Sequence, residues 1–289
     1  MYQISYDGFC ICGSVRKNNE DNIWCLDHSL PMVHEDVEEI PAGIVQVDQP
    51  AWFAVFDGMG GAKGGELASA LAAERFGELV SASGVWTMPS ATARRSGEAA
   101  PDLTAEASFH LFSGTIGGCN RPGNDFSMDC MLYTGYCRDM NQRILVEAAQ
   151  QNLRGMGSTV VGLSFQKEGI SGFNLGDSRC YCLEDDKLIL LSCDHTYQAG
   201  AFGRRYLVQC LGIPENEFLL EPAVFRKDPE KGQQYLLCSD GLTDMLSCEK
   251  ISSILRQDLP VTEKNRQLKE NVLARGAEDN CTVLLIQVE

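Results

Sequence analysis

Aspartates close two apolar runs near opposite ends of this chain. The first run is Ala54-Val55-Phe56-Asp57-Gly58-Met59-Gly60-Gly61 and the second is Leu236-Leu237-Cys238-Ser239-Asp240-Gly241-Leu242-Thr243-Asp244. Asn19-Glu20-Asp21 precedes them and Glu278-Asp279-Asn280 follows. Carboxylates beside β-rich runs, with Gly or Asn close behind, supply what a hard-cation site of oxygen ligands needs. Arg16 adds a guanidinium, which binds phosphate oxygens through two parallel hydrogen bonds. Hard cations, a fixed arginine and water suffice to hydrolyse a phosphate ester.

Each motif taken alone has an ordinary structural reading. Asp57-Gly58 could be a strand-to-helix turn, or Asp57 a helix N-cap. No Gly-Lys-Ser/Thr follows the glycines, which excludes a P-loop. Asp240 could cap the next turn, and Glu278-Asp279-Asn280 could be a solvated acidic turn. Gly176-Asp177-Ser178-Arg179 lies between two apolar runs and fits a two-residue hairpin. Arg16 could be a plain surface arginine. His28, His34, His110 and His195 have no metal-ligand spacing, and His195 reads as a structural residue. The run Cys10 to Arg16 fits Cys-x-x-Gly-x-x-Arg, the spacing of a cysteine-dependent phosphatase loop. That chemistry needs a thiolate at the mouth of an anion-binding loop before a helix. Cys10 instead falls in a strand-like run.

The length of 289 residues and a hydrophobic fraction of 44% allow a large buried core. A net charge of −16 excludes non-specific nucleic-acid binding through bulk charge. An acidic chain that takes an anionic substrate needs a local positive centre, and bound cations would supply one. The 13 cysteines contain no Cys-x-x-Cys and suit a reducing cytosol better than a disulfide framework. No signal peptide is evident, and no apolar stretch reaches the ~20 residues of a membrane span. The chain is therefore expected to be cytoplasmic, with no membrane and no nucleic-acid partner.

Apolar periodicity predicts a strand within residues 2–15, a buried strand over 52–56 and a helix over 66–80. A long amphipathic helix follows over 128–153. Strands are expected over 159–165, 172–175, 179–183, 187–192, 235–239 and 281–288, with helices over 248–256 and 262–275. Residues 31–49 read as an acidic, proline-punctuated insertion. Residues 81–125 read mostly as loop with one helix. With no linker dividing the signatures, residues 1–289 are expected to form one domain. Strands cluster without strict alternation, which favours α+β.

In order along the chain, these blocks resemble the metal-dependent serine/threonine phosphatases of the PPM/PP2C family, bacterial branch. They are Arg16…Asn19-Glu20-Asp21-Asn22, Phe53 to Gly61, Met156-Gly157-Ser158-Thr159, Asn174 to Tyr181, Asp194-His195-Thr196, Leu237 to Asp244 and Asp279-Asn280-Cys281-Thr282. The resemblance implies a four-layer α-β-β-α sandwich, with two antiparallel sheets between helices. It implies two Mn²⁺ or Mg²⁺ ions bridged by Asp57, with the Gly58 carbonyl, Asp240 and Asp279 as further ligands. Glu20 would contact the second ion and Asp21 would support the site. Asp177 would help bind a third, weaker ion, Arg16 would orient the substrate phosphate, and Thr159 would lie beneath the metals. Phosphoproteins would be the substrates, a cognate Ser/Thr kinase a partner, and the chain a monomer. Only residues 197–210 occupy the place of a longer family flap. A pseudophosphatase that binds phosphoproteins is the alternative, but Asp57, Asp240 and Asp279 are all retained.

Overall fold

The fold is that of a computed structural model, which describes residues 2–34, 37–60, 64–83, 124–198, 205–214, 216 and 218–289. The expected loop and helix of 81–125 lie outside the described residues from 84 to 123, as do residues 199–204 of the short flap and Gly61 of the glycine run.

The chain begins with β1 (Gln3–Ile11), β2 (Asp21–Cys25), β3 (His28–Ser29), β4 (Val37–Gln46) and β5 (Ala51–Met59). Helices α1 (Gly64–Ser83) and α2 (Asn124–Gln151) follow, then β6 (Gly157–Ser158), β7 (Val160–Gln166), β8 (Gly169–Leu175), β9 (Arg179–Glu184) and β10 (Lys187–Leu190). Next come β11 (Thr196–Gln198), β12 (Arg205–Leu207), β13 (Ala223–Lys227) and β14 (Gln234–Cys238). The chain closes with α3 (Asp240–Met245), α4 (Cys248–Leu255), α5 (Val261–Ala274) and β15 (Cys281–Val288).

The strands build two large sheets, and every pairing in them is antiparallel. One has the order β10-β9-β14-β15-β1-β4; the other runs β13-β8-β7-β5-β2-β3, with β6 on β5. Alternation along the strands gives each sheet two apolar faces. On β5, Phe53 and Val55 face the opposite sheet, while Trp52, Ala54 and Phe56 face α1 and α2. On β14, Tyr235 and Leu237 point inward and Leu236 and Cys238 pack toward α3–α5. Three hydrophobic cores thus separate four layers, the α+β sandwich expected from the sequence.

Aromatic side chains lock the first helical layer. Trp52 meets Phe76 and Tyr133 edge-on at 5.8 and 6.2 Å, and Tyr133 stacks on Phe173 at 4.6 Å. A Cβ at Gly77 would overlap the Trp24 ring, so glycine lets α1 lie against β2.

Two local expectations change. The segment read as an insertion over 31–49 contributes edge strand β4, whose Pro41 sits where the β1–β4 register shifts between Tyr6 and Gly8. A bulge on an edge strand tolerates a residue with no N–H. Gly176-Asp177-Ser178 is not a hairpin: β8 and β9 belong to different sheets, so this corner carries the chain across the end of the sandwich.

Candidate metal centre

Sheet geometry brings the acidic motifs together. Asp57 ends the inward-facing row of β5 and lies directly opposite Asp21 of β2 in the register. β14 and β15 are neighbours, so Asp240, just past β14, stands beside Asp279, just before β15. β9 pairs with β14, which sets Asp177 of the crossover next to Asp240. Asp177 and Asp240 line one cavity of about 250 Å³ with Arg179, Thr196, Leu207, Thr243 and Asp244.

Like charges opposed in a sheet repel, and burial removes the water that would screen them. Burial, with the charges of Asp21, Asp240, Asp177 and Asp279, holds Asp57 well above the ordinary carboxylate range. Asp240 is pushed up to about 6 by burial and then by Asp177, Asp244 and Asp279, while a hydrogen bond with Asp57 opposes the rise. Asp21 is 2% exposed and accepts hydrogen bonds from Ser239 Oγ at 2.8 Å and Thr282 Oγ1 at 2.7 Å. Burial outweighs those bonds and raises it to about 7. Burial and Glu66 also raise Glu20, against the pull of Arg16.

These shifts have a sign in stability. Burial holds the Asp21 carboxyl at about 7 in the fold, far above the ordinary range of an exposed aspartate. The folded chain therefore holds a proton that the unfolded chain releases, so metal-free stability falls as pH rises from about 4 to about 7. Chelated protein is expected to melt higher at about pH 5 than at about pH 7.5, with the difference reduced in Asp21→Asn. Thermal scans at both pH values check this, and an unchanged difference in the variant would contradict it.

The backbone around Asp57 is tightly held. Its N–H donates to Thr159 Oγ1 at 3.1 Å, and its carbonyl accepts from Thr159 N–H at 2.8 Å. Thr159 Oγ1 also pairs with Ser178 Oγ at 2.6 Å, which links the β5 end to the crossover. Gly58 N–H donates to the Glu20 carbonyl at 3.0 Å. A Cβ on Gly58 would collide with the carbonyl oxygens of Gly65 and Glu20, so only glycine allows this approach. Thr159→Val leaves the Asp57 N–H and Ser178 unpaired. It is expected to cost about 1–3 kcal/mol in a denaturant melt and to weaken Mn²⁺ binding about tenfold or more.

Arg16 stands at the rim with its side chain 53% exposed, and its Nη2 meets Asp279 Oδ2 at 2.6 Å. That hydrogen bond raises its pKa, so the guanidinium is a fixed charge. Asn280 sets the surrounding loop. Its Oδ1 accepts from Glu20 N–H at 2.9 Å, and its Nδ2 donates to the carbonyls of Cys12 at 2.8 Å and Asn18 at 3.0 Å. Sequence reading did not single out Asn280, Ser239 or Thr282 as site residues, because their partners lie far away along the chain. The only sequence signal was their place beside Asp279 and Asp240.

The cysteine chemistry finds no support. Cys10 lies within β1, fully buried, and burial followed by the charge of Asp21 pushes its thiol up, away from a reactive thiolate.

Among the described residues, no three Asp, Glu, His or Cys side chains are drawn together as tightly as a closed coordination shell. The chemistry of the donors nevertheless fits a hard cation. Mutually repelling carboxylates converge here, and a divalent ion would neutralise them.

The family model for protein phosphatase 2C matches residues 41–274. That span includes Asp57, Gly58, Thr159, Asp177 and Asp240 but not Arg16, Glu20, Asp21 or Asp279, which the fold brings to the same end of the sandwich. The serine/threonine protein phosphatase PstP of Mycobacterium tuberculosis is 30% identical over 205 residues, which cover 66% of this chain and 38% of the relative. The chain thus spans well under half of that relative's length. The serine/threonine phosphatase stp of Listeria innocua is 27% identical over 290 residues, covering 95% of this chain and 92% of the relative. The fold matches the catalytic domain of PstP solved with 2 manganese ions, with a TM-score of 0.65, 24% identity and 99% of each chain covered.

Proposed function

Because the chain belongs to the protein phosphatase 2C family, we propose that it hydrolyses phosphoserine and phosphothreonine in proteins, with water as the nucleophile. The observation that carries this reading is the convergence of Asp57, Asp240 and buried Asp21, mutually repelling, beneath a rim that holds Arg16.

Asp57, the Gly58 carbonyl, Asp240 and Asp279 would hold Mn²⁺ or Mg²⁺, with Glu20 beside a second ion and Asp177 serving a weaker third. The bound ions supply Lewis acidity, lowering the pKa of water and neutralising charge on the phosphoryl oxygens. Thr159 and Ser178 fix the backbone of Asp57, so the donors are oriented before substrate arrives. Asp21 stays braced by Ser239 and Thr282 and stiffens the floor. Arg16 faces solvent at the rim, where its fork would orient a phosphate and stabilise charge as the ester bond breaks. No protein nucleophile is required.

Phosphoproteins are the substrates in this reading, and a Ser/Thr kinase of the same cell is the natural opposing partner. Free thiols at every described cysteine fit a reducing cytoplasm. The chain acts as a monomer in this reading. The test is turnover of phosphothreonine, phosphoserine and phosphotyrosine peptides in Mn²⁺. Cleavage of the first two well above the third supports the assignment; preference for phosphotyrosine, or turnover of none, overturns it.

A further inference from the structure

The segment 193–196 runs alongside the crossover that carries Asp177. Asn174 grips one end: its Nδ2 donates to the Cys193 carbonyl at 2.7 Å, and its Oδ1 accepts from Cys193 N–H at 3.0 Å. Arg179 grips Asp194 through Nε at 2.9 Å and Nη2 at 2.5 Å. Between these anchors His195 makes three contacts with Gly176. Its N–H donates to the Gly176 carbonyl at 3.0 Å, and its ring Nδ1 lies 3.1 Å from the Gly176 N–H and 3.3 Å from the same carbonyl. The Gly176 carbonyl already accepts from the His195 N–H and, at 3.2 Å, from Asn174 Nδ2, so the ring nitrogen takes the shorter contact as acceptor, a bare Nδ1 with the ring proton on Nε2. Burial lowers the pKa of His195 and keeps the ring neutral. Gly176 has φ +116°, and a Cβ there would come within 2.7 Å of Thr159. The corner therefore requires glycine, and the side chains around it supply the hydrogen bonds that hold its shape. The His195 carbonyl accepts from Val208 N–H at 2.8 Å, just beyond β12. β11 and β12 supply Thr196 and Leu207 to the wall of the Asp177 cavity.

We propose that His195 is a positioning residue: by accepting the Gly176 N–H it fixes Asp177, and through its backbone it ties that carboxylate to the paired strands β11 and β12. The proposal rests on the reading of Asp177 as ligand to a weaker cation. It gives a histidine whose sequence context reads as structural a definite task, with Nδ1 as the atom that performs it.

The test is Mn²⁺ titration calorimetry on the wild type, His195→Ala, His195→Asn, His195→Gln and Asp177→Asn. Asparagine places Oδ1 where Nδ1 stands, whereas the acceptor of glutamine lies one methylene further out. His195→Ala is expected to weaken the weakest class of sites about tenfold, within the range for lost ligand support, and to leave the tight sites unchanged. His195→Asn should restore binding and His195→Gln should not. In the Asp177→Asn background His195→Ala should add nothing, since both remove the same interaction. If His195→Ala fails to fold, the contrast between asparagine and glutamine decides. Wild-type isotherms for His195→Ala, equal loss in all three variants, or an additive loss with Asp177→Asn would overturn the proposal. A wild-type titration lacking the weaker class would overturn it and leave the paired ions standing. A wild type that takes up no Mn²⁺ would overturn both.

Discussion

Asp240→Asn is expected to move activity and metal-free stability in opposite directions. Hydrolysis in Mn²⁺ should fall about 10²–10³-fold or more, the scale of losing one electrostatic element of a preorganised site. The melting temperature of chelated protein should rise, because a buried carboxylate facing Asp177, Asp244 and Asp279 has been neutralised. Each kcal/mol relieved shifts the midpoint by about 2–4 °C in a domain of this size. The rise in melting temperature that Mn²⁺ gives the wild type should shrink or vanish, since binding to the folded state stabilises by mass action. Steady-state assays and melts with and without Mn²⁺ check all three effects. A variant that loses stability and activity together has lost its fold, and would contradict the claim that these carboxylates are held against their own repulsion.

Arg16→Ala is the second large effect. The guanidinium is half exposed and, among the described residues, its side-chain hydrogen bond is to the rim carboxylate Asp279, so its loss should leave the fold intact. The value of kcat/KM should fall about 10²–10³-fold, as when a donor to developing phosphoryl charge is removed. Mn²⁺ affinity should not weaken, because the variant removes a positive charge from beside Asp279. Arg16→Lys should recover part of the activity, since it keeps the charge but loses the planar fork. Kinetics paired with Mn²⁺ calorimetry separate the roles. Weakened Mn²⁺ binding in Arg16→Ala would mean that Arg16 builds the metal rim and does not serve the phosphate.

The sequence carried the buried strands and the helices well, for a periodic reason. β5 holds the apolar run 51–56 and β15 the apolar run 283–286, and α1, α4 and α5 repeat their apolar residues at helical spacing. β4 was hidden because an edge strand with Pro41, Glu38 and Glu39 has the composition of a loop. The crossover at Gly176 was hidden because a Gly-Asp turn signal does not say which sheet receives the next strand. The site divides the same way. Asp57, Asp240 and Asp279 stand at strand ends, where a local motif is readable. Asn280, Ser239, Thr282 and His195 act through hydrogen bonds to Glu20, Asp21 and Gly176, contacts that exist only once the sheets close.

The most direct measurement is hydrolysis of a phosphothreonine peptide by protein stripped with EDTA, assayed before and after Mn²⁺ is restored, with Asp240→Asn alongside. Turnover that is absent after stripping, returns with Mn²⁺ and stays absent in the variant is the expected result. Turnover that survives EDTA, or that Asp240→Asn retains in full, would contradict a metal-dependent reaction built on these aspartates.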